Sequence, residues 1–357
     1  MQNLRLELVK KLLKDKALTH VLISDLVDVE YVSGFRSSNA LVLISAKKNL
    51  LFSDFRYKEA AEAFCSKNRQ WNFQLVKENL FNSICAFMDE RSVCGFQSND
   101  LTVDKYDELT ASGKNVRFVK LSSEISELFL QKTTSELASI KKAANIGDRA
   151  FELLTKKITE GISEAALAKE LECLCGELGS ERPSFETIVL FGSRAALPHG
   201  KPGKRRLKKG DFVLIDFGCT VNGFCSDMTR TVVFGKASKK QRQIYDIVLQ
   251  AQKSACKAAK AGLSSKELDS VARSSITSAG YGEAFGHALG HGVGLRIHEK
   301  PRISFLSDSI LKPNMVITIE PGIYIGNFGG VRIEDMVVIN EKNARLLTSA
   351  PKELIEL

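Results

Sequence analysis

Four of the chain's five histidines lie beyond residue 198: His199 in Leu-Pro-His-Gly, and His287, His291 and His298 in the glycine-rich run GHALGHGVGLRIHE. A lone histidine is usually a satisfied structural residue, and His20 is read that way. Glycines at 286, 290, 292 and 294 let the backbone approach closely around His291, which makes it the best imidazole ligand. The other three suit proton transfer and hydrogen-bond donation. Carboxylates recur inside apolar, strand-like runs of the same region. Asp216 lies in DFVLIDFG and Asp227 in GFCSDMTRT, joined at Asn222-Gly223, a strong hairpin signal. That turn sets Asp227 opposite Gly218, on the face that also carries Asp216. A second pair of runs repeats the anomaly: Glu320 ends MVITIE, and Arg332 and Glu334 share one face of VRIEDMVV. Four carboxylates among apolar neighbours are costly unless multivalent cations join them. Hard oxygen ligands favour Mn, Co or Fe over a purely structural zinc.

The elements that must carry these residues show an internal echo. GISEAAL at 161–167 and GLSSKEL at 262–268 share one grammar: a glycine that ends a helix, an apolar residue, a Ser N-cap and a second helix. Each is followed by a strand-rich segment, 211–234 and 316–340. Two helix–helix–hairpin halves predict a pseudo-twofold α+β domain, with an antiparallel sheet covered by helices and the site on the shared sheet. A capping box, Thr133-x-x-Glu136, opens its first long amphipathic helix. Upstream, from Val21 to Val119, short apolar runs alternate with charged helical stretches, an α/β pattern. At 357 residues the chain suits two domains, 1–128 and 129–357.

Composition narrows the function classes. With 44% apolar and 26% charged residues the chain is an ordinary globular one, which excludes wholesale disorder. No apolar run reaches the ~18 residues a membrane span needs, so no membrane partner is expected. The start, MQNLRLELVKKLLKDK, reads as an amphipathic helix instead of a signal peptide. Eight cysteines form no C-x-x-C pair and read as reduced thiols, so a cytoplasmic protein is expected. The net charge is +9, and six basic residues crowd into KPGKRRLKK at 201–209. That run lacks the interleaved aromatics of a strand-binding surface, so no nucleic acid is expected. It reads as a solvated loop, with phosphate binding as the alternative.

Taken together, LPHG at 197–200, DFG at 216–218, SDMTRT at 226–231, GHGVGLRIHE at 290–299, EPGIY at 320–324 and GVRIED at 330–335 resemble the metal-dependent Xaa-Pro aminopeptidase and Xaa-Pro dipeptidase (prolidase) family of pita-bread metallopeptidases. The resemblance covers residues 133–357. DVEYVSGF at 28–35 and FSDFRY at 52–57 resemble that family's creatinase-like first domain. The fold so implied is an α/β creatinase-like N-terminal domain plus an α+β pita-bread C-terminal domain with a pseudo-twofold internal repeat.

The resemblance also implies roles. Asp216 would chelate one metal, Asp227 and Glu334 would bridge two, and His291 with Glu320 would complete the second. Two divalent ions are implied, Mn2+ first, with Co2+, Fe2+ or Zn2+ as alternatives, and their four positive charges match the four carboxylates. The implied reaction is hydrolysis of an N-terminal Xaa-Pro bond of proline-containing peptides by a bridging hydroxide, with Glu320 as proton shuttle. His287 and His298 would orient substrate and stabilise the oxyanion, with His199 nearby and Arg332 backing the acidic cluster. A homodimer is implied as well, and the loop 34–38, with Phe35, suits closure of a neighbouring pocket. The short segment between Glu320 and Glu334 leaves an open cleft and favours an aminopeptidase. The alternative is a dipeptidase, for which Arg302 is the candidate carboxylate clamp. Methionine aminopeptidases usually lack this N-terminal domain and the LPHG context. A non-enzymatic binding protein of the same fold is expected to have lost ligands, and all five are here.

Overall fold

The computed structural model describes residues 2–357, with side chains from Leu4 onward. The chain divides into two compact units, one ending at Phe129 and one beginning at Leu130.

In the first unit the leucine-and-charge run at the start forms α1 (Gln2–Asp15). There follow β1 (His20–Ile23), α2 (Leu26–Ser33), β2 (Leu41–Ser45), β3 (Asn49–Ser53), α3 (Lys58–Lys67), β4 (Asn72–Leu75), α4 (Leu80–Cys85), β5 (Val93–Gln97), α5 (Val103–Ser112), β6 (Arg117–Leu121) and α6 (Glu124–Glu127). One mixed sheet has the order β4-β3-β2-β1-β5-β6. The short apolar runs legible between Val21 and Val119 become β1, β2, β3, β4 and β6, but β5 is not among them. Gly95 interrupts its apolar pattern, and a Cβ there would stand 2.7 Å from Leu121 Cδ1 and 2.8 Å from Leu18 Cδ1. The residue that hides the strand is the one its packing requires. The expected role of the 34–38 loop is also corrected. Phe35 is only 6% exposed, its ring 5.3 Å from that of Phe64, so it is not offered to a neighbour. The outward aromatic of this region is Phe55, 79% exposed.

The second unit begins its helices at the expected caps. Thr133 and Glu136 exchange hydrogen bonds at the start of α7 (Thr134–Thr155), and Ser163 caps α8 (Glu164–Glu177). The half continues through β7 (Ile188–Phe191), β8 (Phe212–Phe217), β9 (Thr220–Val221), β10 (Phe224–Cys225) and β11 (Met228–Val233). The second half runs α9 (Lys239–Ala258), α10 (Ser265–Ser278, capped by Ser264), β12 (Gly290–Gly292), β13 (Glu299–Ile303), β14 (Val316–Ile319), β15 (Gly322–Ile325), β16 (Gly329–Arg332), β17 (Asp335–Ile339) and β18 (Ala344–Leu346). Gly161 and Gly262 do not end helices, because α7 has stopped at Thr155 and α9 at Ala258. They turn the chain later, at φ +82° and +83°, and there each half makes the same exchange. Gly161 N donates to Leu207 O and Leu207 N to Ile162 O; Gly262 N donates to Leu311 O and Leu311 N to Leu263 O.

Strand ladders form two larger sheets, β11-β8-β7 and β13-β12-β14-β17-β18, and two two-stranded ones, β10-β9 and β15-β16, where a single shared sheet was expected. The two hairpins meet edge-on: Glu334 N donates to Thr229 O at 3.1 Å, and Thr231 Oγ1 bonds both the N and the O of Arg332. Alternate residues of β8 enter different cores. Phe212 and Leu214 join Ile244, Val248 and Leu268 of α9 and α10, while Val213, Ile215 and Phe217 join Leu154, Leu167 and Leu171 of α7 and α8. Aligning the halves on Leu207 and Leu311 sets Asp216 on Glu320 and Gly218 on Gly322. Cross-strand register then pairs Thr229 with Glu334, and Asp227 with Arg332.

Candidate active site

Backbone approach brings the ligands together. Beyond Asp216 the chain passes so near its hairpin partner that a Cβ on Gly218 would lie 1.9 Å from Ser226 O, one residue before Asp227. On β12, added Cβ atoms at Gly290 and Gly292 would lie 2.1 Å from Thr318 O and Lys300 O, so only glycines let His291 sit between β13 and β14. Gly286 has open space instead and is not needed for close approach.

All ten residues singled out in the sequence line one cleft of about 780 Å³: Asp216, Asp227, His291, Glu320, Glu334, Arg332, Arg302, His199, His287 and His298. One ligand atom from each of Asp227, His291 and Glu334 lies within 4.8 Å of the others. His291 Nδ1 is 3.0 Å from Gly292 O; a carbonyl only accepts, so Nδ1 carries the proton. Burial lowers this imidazole's pKa to about 4, which keeps the ring neutral and leaves Nε2 a bare lone pair. Nε2 faces Asp227 Oδ2 at 3.5 Å and Glu320 Oε1 at 3.4 Å.

The carboxylates are the wrong charge for their surroundings. Burial, then mutual repulsion with neighbouring carboxylates, pushes Asp227 and Glu334 well above the ordinary carboxylate range, and burial first pushes Glu320 up to about 8. Asp216 Oδ1 and Asp227 Oδ1 are buried and find no donor among the described residues. Orphaned buried oxygens beside a neutral imidazole lone pair fit a multivalent cation and little else. A stability prediction follows. Without metal, the native state keeps a proton on Glu320 that the unfolded chain releases near 4.5, while His287 and His291 stay neutral where the unfolded chain protonates them below about 6.5. The two effects oppose one another at lower pH, so stability falls as pH rises from about 6.5 to about 8. Denaturation of chelator-treated protein across that window should show the fall, and excess Mn2+ should reverse it; a profile flat or rising with pH would contradict it.

A hydrogen-bonded chain supports the acids. Arg332 Nη2 donates to Asp216 at 2.5 Å, Nη1 to Tyr324 OH at 2.7 Å and Nε to Thr229 Oγ1 at 3.1 Å; Thr229 Oγ1 in turn donates to Glu334 Oε2 at 2.7 Å. His287 Nδ1 bonds Ala288 O at 2.8 Å, and burial, aided by Arg332, lowers its pKa to about 4. Its bare Nε2 therefore accepts from Tyr324 OH at 3.0 Å. The sequence expectation that His287 donates to an oxyanion meets this difference: in this arrangement the ring has no N–H left for the cleft. His298 packs edge-on to His291 at 4.4 Å and forms no ring hydrogen bond among the described residues; His199 is exposed on the rim.

Several supporting residues escaped the sequence reading. Tyr324 and Thr229 lie within quoted motifs, but nothing in their spacing assigned them partners. Buried Arg230 donates to Glu334 O, to Asp335 Oδ1 at 2.7 Å and to Ala350 O at 2.8 Å. Its signal was available, since a charged residue inside an apolar strand needs a partner. Glu164, fully buried, accepts from Phe191 N, Arg194 Nε and Gly203 N, while Arg194 Nη2 donates to Lys201 O at 2.6 Å. This ties down the loop after His199. Much of the basic run is satisfied locally: Lys201 pairs with Glu186 at 2.8 Å, Arg205 with Asp211 at 2.8 Å, and Arg206 donates to Gly161 O at 2.7 Å.

Residues 138–341 match metallopeptidase family M24 and residues 5–128 match the creatinase/prolidase N-terminal domain. The chain belongs to metallopeptidase family M24, a family of metal-dependent hydrolases with the pita-bread catalytic fold. Over 353 residues, 98% of this chain and 99% of the relative, it is 40% identical to the Xaa-Pro dipeptidase of Pyrococcus furiosus. It superposes on the solved Xaa-Pro dipeptidase from Bacillus anthracis with a TM-score of 0.95 at 37% identity, covering 100% of each chain. The X-Pro aminopeptidase from Thermotoga maritima gives 0.90 at 34%, covering 99% of each. Both activities occur among the relatives, and the dipeptidase is the better supported of the two.

Proposed function

We propose that this protein is a two-metal Xaa-Pro dipeptidase, with 1–128 as its creatinase-like domain and 129–357 as its catalytic domain. The observation that carries the choice over an aminopeptidase is Arg302. Antiparallel register sets it directly opposite His291, so its side chain leaves β13 on the ligand's face and lines the cleft. A guanidinium there suits the free carboxylate that follows proline in a dipeptide.

Asp216, Asp227, Glu334, His291 and Glu320 would hold the two ions, Mn2+ first and Co2+, Fe2+ or Zn2+ as alternatives. Such ions, when bound, polarise a carbonyl and bring the pKa of water near neutrality. Around them the chain's own groups have separate tasks. Glu320 would move a proton between the nucleophile and the prolyl nitrogen. His298 would donate to the developing oxyanion, and His199 would orient the peptide from the rim. His287, through Tyr324, would hold Arg332 on Asp216. His298→Ala is expected to lower kcat by ~10²–10³ with metal content unchanged, the usual cost of a lost donor; His287→Ala should likewise lower kcat far more than metal content. Elemental analysis beside kinetics checks both, and loss of an ion from His298→Ala would reverse its assignment.

The test of the function compares kcat/KM for Xaa-Pro, Xaa-Pro-Xaa and Met-Ala-Ser peptides under Mn2+. Cleavage of the dipeptide above the others is expected. Release of Met without Xaa-Pro cleavage would make the protein a methionine aminopeptidase, and absence of both turnover and bound metal would leave a binding protein. A homodimer in the cytoplasm completes the proposal, supported by the outward Phe55 and by eight cysteines without a disulfide. No described helix is long and apolar enough to cross a membrane. Light scattering should give twice the chain mass; a fully active monomer would remove the dimer.

A further inference from the structure

The segment that carries His287 has little regular structure of its own, yet it is held at every second residue by one ion pair from α10. Arg273 Nη1 donates to Phe285 O at 2.9 Å and Nη2 to His287 O at 2.8 Å. Asp269 Oδ1 accepts from Leu289 N at 3.2 Å. The pair is closed on itself: Arg273 Nε reaches Asp269 Oδ2 at 2.7 Å and Nη2 reaches Oδ1 at 2.9 Å. Asp269 is fully buried, and the guanidinium lies between the rings of Phe285, at 4.3 Å, and Phe305, at 5.0 Å. Phe285 in turn packs edge-on against the His287 imidazole, with ring centres 5.1 Å apart.

Asp269 is buried but the Arg273 side chain is 22% exposed, and a partly buried bidentate pair of this kind contributes little net stability, so its value lies in the geometry it imposes. It spends its donors and its acceptor on backbone atoms at 285, 287 and 289, which leaves the imidazole one way to face. That direction reaches Tyr324, and through it Arg332 and Asp216. From these contacts we infer that Asp269 and Arg273 are positioning residues: they aim His287, and through it the hydroxyl and guanidinium that steer Asp216.

The inference deepens the proposed peptidase reading and rests on it for its kinetic arm only. Arg273→Lys keeps the charge beside Asp269 but loses the fork that spans two carbonyls. Its kcat on the Xaa-Pro dipeptide is expected to fall about tenfold, within the range that a slightly misaimed group costs, with KM changed less than about twofold and metal content intact. In a His287→Ala background the same substitution should change kcat by less than about twofold, because the residue it acts through is gone. Ring ¹⁵N–¹H spectra of the histidines, with His287 identified by its absence in His287→Ala, should show the His287 signals displaced in Arg273→Lys. If Arg273→Lys does not fold, Asp269→Asn, which keeps the volume and an acceptor for Leu289, should show the same displacement and a threefold or so loss of kcat. Equal losses in both backgrounds, or His287 signals coincident with wild type, would overturn the inference. Should the wild type cleave no Xaa-Pro peptide, the function falls while the spectra still decide the positioning.

Discussion

Asp227→Asn and Glu334→Gln are expected to abolish turnover while leaving the fold standing. Each substitution keeps nearly the same volume and an acceptor oxygen, so Thr229 still has a partner in Glu334→Gln. What each removes is one negative charge from a cluster already held well above the ordinary carboxylate range. In the metal-free chain that removal relieves repulsion, and stability should hold or rise. In the loaded enzyme the same charge is what balances the ions. Its loss should reduce metal content below the two ions expected for wild type and lower kcat by ~10²–10³ or more, the scale of losing preorganised charge stabilisation. Elemental analysis of reconstituted protein, thermal melts and kcat on one preparation separate these effects; unchanged turnover in either variant would contradict the ligand assignment.

Arg302→Ala should collapse the preference for a dipeptide. The side chain is exposed and its charge has no fixed role in the core, so the fold is expected to be indifferent to its loss. A charge-assisted hydrogen bond from guanidinium to carboxylate contributes about 1.5–3 kcal/mol, which converts to roughly 10–150-fold in kcat/KM for Xaa-Pro. An Xaa-Pro-Xaa peptide has an amide where the carboxylate was, and should lose less than about threefold. The two substrates measured side by side under one metal, in wild type and variant, give the answer. Preference for the tripeptide in both proteins would make Arg302 scaffold and return the aminopeptidase reading.

Much of this site was legible because its residues are conspicuous. Carboxylates inside apolar strands, glycines on both sides of a histidine and an Asn-Gly turn each have one physical explanation. The Asn222-Gly223 turn determined the cross-strand register as far as Asp227, and the strands keep that register. What stayed hidden depends on partners remote in sequence. Asp269 and Arg273 are an ordinary helical i, i+4 pair until the chain returns with Phe285 and His287. Tyr324 has no assignable partner until Arg332 and His287 flank its hydroxyl. His287 was read from residue type as a donor; its tautomer depends on Ala288 O and Tyr324, which spacing does not reveal. Gly95 and the early end of α7 were missed for a related reason, since packing against Leu18 and Leu121 outweighed local propensity in the first and Gly161 served a later turn in the second.

The hairpins of the two halves match in register but not in chemistry. Asp216 and Glu320 occupy corresponding positions, whereas Asp227 corresponds to Arg332 and Thr229 to Glu334. A chamber with true twofold symmetry would accept a peptide lying across its axis equally well in either direction. Here one wall offers Asp216 and Asp227 and the other offers His291, Glu320, Glu334 and Arg332, with Arg302 beside the second wall alone. On the proposed reading, a peptide entering such a frame has one orientation that sets its carboxylate end toward the Arg302 guanidinium. Divergence of two similar halves thus gives the cleft a sense of direction, the property that lets an exopeptidase tell one terminus of a peptide from the other.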